Sequence, residues 1–112
     1  MKKFLLIVAA LCFATSSFAA SKKIERTYKS KCASCHAKDG KGDTEKGKKM
    51  KIVDFTNAEW QSKVKDEDMK KAILDGVKKE EGGVKKEMDS FKDDLKPDQV
   101  DELVKFIREF KK

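Results

Sequence analysis

The chain has 112 residues, 27 Lys and Arg against 20 Asp and Glu, and a formal charge of +7. That length suits one small domain with a thin core of its own. With one Trp, one Tyr and no binding motif, the excess of basic residues gives no case for a nucleic-acid partner.

The N-terminus reads as an export signal. Lys2 and Lys3 precede an apolar run from Phe4 to Phe13, too short for a stable bilayer anchor. Ser17-Phe18-Ala19 places small residues at a cleavage site after Ala19, with Ala20 as the alternative. The expected domains are a cleaved segment, 1–19, and one folded domain, 20–112. Cys12 lies in the apolar run after Leu11, where a lipoprotein signal needs a small residue, so it is expected to be discarded. Subtracting Lys2 and Lys3 from +7 leaves +5. No structural disulfide is then available, although an exported setting permits one.

Helical periodicity dominates the rest, with no internal repeat and almost no strand patterning. A first helix is predicted from Ser21 into Cys32-Ala33-Ser34-Cys35-His36, with Ile24, Tyr28 and Cys32 on one face. Asp39-Gly40-Lys41-Gly42-Asp43 breaks it and opens a long loop. Thr56-Asn57-Ala58-Glu59 is a capping box for a short helix carrying Trp60. Asp66 is expected to cap a helix reaching Lys78, with Met69, Ile73, Leu74 and Val77 as its apolar side. Gly82-Gly83 opens a second loop to Leu95. The last helix starts at Pro97, favoured at a first helical position, and runs to about Phe110. Val100, Leu103, Val104, Phe106, Ile107 and Phe110 form its apolar stripe.

Cys32-x-x-Cys35-His36 carries the chemistry. C-x-x-C-H is the attachment signature of c-type haem: two thiols form thioethers to the porphyrin and the imidazole becomes a proximal iron ligand. Three Cys and one His in a shuffled chain would give this spacing in roughly 1 of 2,000 cases. A thioredoxin-type reading needs a βαβ setting, and a structural zinc site needs four ligands; neither requirement is met. A covalent porphyrin would also enlarge the thin core.

The opposite iron position decides between electron transfer and chemistry at the metal. His36 is the only His, which excludes a second imidazole from this chain. Met69 sits on an apolar helix face, where packing is its simpler role. Met50 is fourteen residues beyond His36, in a short Lys-rich loop. Met88 is fifty-two residues beyond it, far enough for two helices to pass round the porphyrin first. The spacing favours Met88 and leaves Met50, a Lys or an open position as alternatives. A thioether opposite His raises the reduction potential and saturates the iron, which suits electron transfer.

These pieces resemble a small bacterial class I c-type cytochrome. The resemblance covers nearly all of residues 20–112. It rests on Tyr28-x-x-x-Cys32-Ala-Ser-Cys35-His36, Asp39-Gly-Lys-Gly-Asp43, Asp54-Phe-Thr-Asn-Ala-Glu-Trp60, the stretch Met88-Asp-Ser-Phe91 to Leu95, and Leu103-Val-Lys-Phe-Ile-Arg108. It implies an all-α cytochrome c fold: crossing terminal helices, and two or three further short helices wrapped round one covalent haem c. It also implies Tyr28 meeting Leu103 and Phe106, Met88 as distal ligand, and a Trp60 contact to a haem propionate beside the alternative of core packing. Four positions depart from that pattern. Ile24 stands for a Gly at the helix crossing, which implies a wider contact. Asp89 stands for a Pro after the ligand Met. Lys96 stands for a capping residue. The Pro whose carbonyl accepts the His ligand's N–H is absent.

The resemblance implies a periplasmic, monomeric carrier of single electrons between redox proteins, and no enzyme of its own. A haem subunit of one larger redox enzyme is the alternative. A haem enzyme or gas sensor with a labile distal ligand is less favoured, because no acid–base residue accompanies the site. The clusters Lys46, Lys48, Lys49, Lys51 and Lys78, Lys79, Lys85, Lys86 suit an acidic partner surface or plain solubility.

Overall fold

The computed structural model describes residues 21–112. The export signal and Cys12 lie outside them. In chain order come α1 (Lys22–Lys31), α2 (Ala33–His36), α3 (Glu45–Met50), α4 (Ala58–Lys63), α5 (Asp66–Asp75), β1 (Val77–Glu81), β2 (Val84–Met88) and α6 (Pro97–Arg108).

The terminal helices make the core. The Ser21 hydroxyl caps α1 by accepting from the Ile24 N–H at 3.3 Å. Ile24 and Tyr28, four residues apart, are buried and face the same way. α1 packs on α6, whose Val100, Leu103, Val104 and Ile107 are also buried. Ile24, at the position of the expected Gly, is 1% exposed within this core. The Tyr28 ring lies tilted against Phe106 at 5.0 Å and Phe110 at 5.3 Å, and it shares the core cluster with Leu103. α6 starts at Pro97 as expected. Lys96 gives no side-chain cap; instead Gln99 Oε1 accepts from the Lys96 N–H at 2.9 Å.

Arg108 ties the end of α6 to the middle of the chain. Its Nε and Nη2 donate to Asp66 Oδ1 at 2.9 and 2.8 Å, and Nη1 donates to the Gln61 side chain and carbonyl. Asp66 was expected to cap α5. It is instead the first helical residue after Lys65, in an acidic first turn that suits the helix dipole. The α4 cap shifts by one residue as well. Asn57 accepts from the Trp60 N–H at 3.0 Å, because Asp54 already binds the Thr56 N–H and hydroxyl.

Two elements correct the expectations. α3 lies where a loop was predicted. Its sequence is charged and has no apolar period, so pattern reading passes over it. Thr44 starts it by accepting from the Gly47 N–H at 2.9 Å.

The larger correction is that the fold is not all-α. α5 stops at Asp75, before the expected Lys78, because Gly76 takes a φ of 76°. Antiparallel β1 and β2 follow, paired Val77 with Met88 through Glu81 with Val84. Gly82 and Gly83, at φ 56° and 78°, form the two-residue turn, whose sense of twist demands positive φ at both positions. Lys and Glu are poor strand formers, which hid the hairpin. Charge pairing compensates: Lys78 faces Glu87, Glu80 faces Lys85, and Glu81 bridges Lys79 and Lys86 at 2.7 and 3.4 Å. The available signal was a short repeat, Val77-Lys-Lys-Glu80 and Val84-Lys-Lys-Glu87, either side of Gly-Gly. Among the described residues, no helix is long and apolar enough to cross a membrane.

Candidate functional site

A cavity of about 730 Å³ opens between α2, α5, the hairpin and α6. Its size falls within the ~300–1,000 Å³ of cofactor pockets, and its walls are mainly apolar and aromatic. Cys32, Cys35, His36, Trp60 and Met88 all line it. Met50 and Met69 line it too, so the wall by itself does not choose among the three thioethers.

The Cys–His end is held from several sides. The Cys32 N–H donates to Tyr28 O at 2.8 Å, continuing α1 into the motif. The Tyr28 hydroxyl donates to Ala37 O at 2.7 Å and so pins the residue after His36. The Thr44 hydroxyl donates to Cys35 O at 2.7 Å. Gly47 lets α3 lie against the same carbonyl, since a Cβ there would come within 2.6 Å of it. Neither Thr44 nor Gly47 was singled out from the sequence; their Thr-x-x-Gly spacing carries no signal of its own.

The ionisation states suit a ligand set. Cys32 and Cys35 are free and half-buried. Burial pushes the Cys32 thiol up to about 11, opposed by Lys31 and helped by Cys35, so it stays protonated at neutral pH. Burial lowers His36 to about 4, which leaves a neutral imidazole with a lone pair to give. Burial likewise raises the Tyr28 hydroxyl, keeping it a donor. The His36 ring lies 4.5 Å from that of Phe55, 18° from parallel. Its Nδ1 is buried, with no hydrogen-bond partner among the described residues.

The opposite wall is slighter. Met88 is the last residue of β2 and half-buried against the core. Met69 is 6% exposed within the core, as its helix face predicts. Met50 ends α3. Gly76 supports the hairpin base: a Cβ there would sit 2.6 Å from the Met88 carbonyl oxygen. Trp60 lines the cavity and packs 5.2 Å from Phe55, so it has a core role in any case. Lys31, Lys46, Lys49, Lys79, Lys85 and Lys86 also reach the cavity. Among the described residues, no metal site of three or more His, Cys, Asp or Glu side chains exists. A haem c fits this arrangement: two thiols in one turn, a neutral imidazole next to them, and an apolar hollow beyond.

A family model described as "Cytochrome C oxidase, cbb3-type, subunit III" matches residues 19–107. The solved structure of KustC0563 c-type cytochrome is 34% identical over 79% of this chain and 96% of that one, with a TM-score of 0.66. A tyrosine-to-phenylalanine mutant of it is 32% identical over 79% and 98%, with a TM-score of 0.64. No curated protein matches.

Proposed function

Because the chain belongs to this family of c-type cytochromes, we propose that it is a periplasmic monohaem electron carrier with His36 and Met88 as axial ligands. Cys32 and Cys35 would form the thioethers. When bound, haem c supplies a one-electron iron couple. The chain's own part is to hold the ligands and keep water away. Neutral His36 can bind a metal without first losing a proton. Tyr28, Phe55 and Leu103, buried along the wall, exclude solvent from that side. Met88 offers a neutral, soft donor that stabilises the reduced state. The expected export signal supports the periplasmic setting, and the position of Trp60 on the cavity wall is compatible with a propionate contact.

The observation that carries this reading is the meeting of both thiols, the imidazole and Met88 on one apolar cavity. Absorption spectroscopy tests it. A low-spin ferrous spectrum unaffected by carbon monoxide is expected, with a weak ferric Met-to-iron band lost in Met88→Ala. Ready carbon monoxide binding in the unmutated protein would sink the carrier reading, and survival of the band would move the ligand to Met50 or Met69.

The family description names an oxidase subunit, which supports a second reading as a subunit dedicated to one redox enzyme. Co-purification as a stable stoichiometric complex would favour it. For a free carrier, the lysines around the cavity suit brief contact with acidic redox partners.

A further inference from the structure

We propose that Phe55 is the positioning residue for the proximal imidazole, taking over the task that a hydrogen bond to the second ring nitrogen ordinarily performs. The proposal rests on His36 being an iron ligand. A histidine bound through one nitrogen can still turn about its own axis. Its other N–H usually donates to a carbonyl, a carboxylate or water, which fixes the ring plane and raises its basicity. Here Nδ1 is buried, and among the described residues no carbonyl or carboxylate accepts from it.

What His36 has instead is a flat neighbour. The Phe55 ring covers its face at 4.5 Å and 18°. A turn of the imidazole would drive its edge into that ring. Phe55 can bear this load because its own position is fixed. It is 5% exposed. Its N–H donates to Gly40 O at 2.8 Å. Its carbonyl accepts from Gln61 Nε2 at 2.7 Å, and the same nitrogen donates to Ile107 O at 2.9 Å. Trp60 and Phe110 flank the ring at 5.2 and 6.1 Å. The orientation of His36 is thus referred through Phe55 and Gln61 to α6. A stacked face restrains rotation but accepts no proton, so it leaves the imidazole a weaker electron donor than a hydrogen-bonded one.

Ferric electron paramagnetic resonance reads the plane of an axial imidazole through the anisotropy of its g-values. In the haem-loaded protein, Phe55→Leu is expected to shift and broaden those values while the low-spin state persists, and Phe55→Tyr, which keeps the flat face, to leave them in place. Unchanged g-values in a folded Phe55→Leu protein overturn the proposal. Should Phe55→Leu fail to fold, the unmutated protein still decides. Isotope-labelled histidine NMR of the ferrous state is expected to show an Nδ1–H without a hydrogen bond, and a hydrogen-bonded one overturns the proposal. His36→Ala separates the two levels: if its low-spin spectrum matches the unmutated protein, the ligand reading fails and Phe55 with it. If only the Phe55 measurements fail, the ligand reading stands.

Discussion

His36 and Met88 line the same cavity but are held by very different amounts of structure. His36 follows directly from α1, is stacked on a buried ring, and accepts from the Gly42 N–H on its carbonyl at 2.9 Å. Met88 closes a two-stranded hairpin whose outer parts are exposed and charged. Its base is attached by the Phe91 N–H to Ile73 O at 3.0 Å and by the Ser90 hydroxyl to Leu74 O. Few buried apolar contacts and an exposed ladder mark the part of a fold that opens first. The two sides therefore differ in build: His36 is held by packed structure from several elements, Met88 by an exposed hairpin and its base.

The largest effect should fall on what both sides share. Leu103, 1% exposed between the terminal helices, also lines the cavity. Leu103→Ala should cost about 2–5 kcal/mol in urea unfolding. Loss of the Met88 side alone, with global stability intact, would show that the two sides do not rest on one core.

A second test asks whether the Cys–His side is packed before haem arrives. With its thiol raised from 9.0 to about 11, folded haem-free protein holds less Cys32 thiolate at any pH below 9. Alkylation of Cys32 by iodoacetamide at pH 8 should then be ~100-fold slower than in urea, rising with pH until about 11. Equal rates in buffer and urea would mean that the motif is unpacked without its cofactor.

Gly76→Ala addresses the other side alone. Positive φ and the collision with the Met88 carbonyl should cost about 1–3 kcal/mol. The Met-to-iron band should weaken while imidazole ligation persists. An intact band would show that the hairpin base does not place Met88.

The smallest expected effect is on stability in Glu81→Gln. The bridges to Lys79 and Lys86 lie on the surface, so unfolding should not move measurably. Freeing both lysines should instead speed reduction by an acidic partner at low salt, with the gain vanishing as salt rises. No change in rate would assign these lysines to solubility.

Much of the His36 side was legible in the sequence because its signals are local. C-x-x-C-H is contiguous, Ser21 and Pro97 mark helix starts, and the apolar stripes of α1 and α6 recur at helical spacing. The Met88 side was harder to read. Its strands contain almost no strand-forming residues, and what pairs them is charge across a turn, visible only once the register is known. α3 escaped for a similar reason, since it shows no apolar period and lies against the Cys35 carbonyl and β2.

The sequence by itself determined the cofactor chemistry, the two helices that pack as the core, and the single imidazole available to an iron. Those follow from residue identity and from spacing within a few turns. Only the tertiary structure decided that a hairpin carries Met88, that α3 lies against the motif, and that Phe55 lies nearly flat on His36. Each depends on which distant segments meet, and contacts between residues such as Phe55 and His36, or Gln61 and Ile107, leave no periodic trace in the chain that makes them.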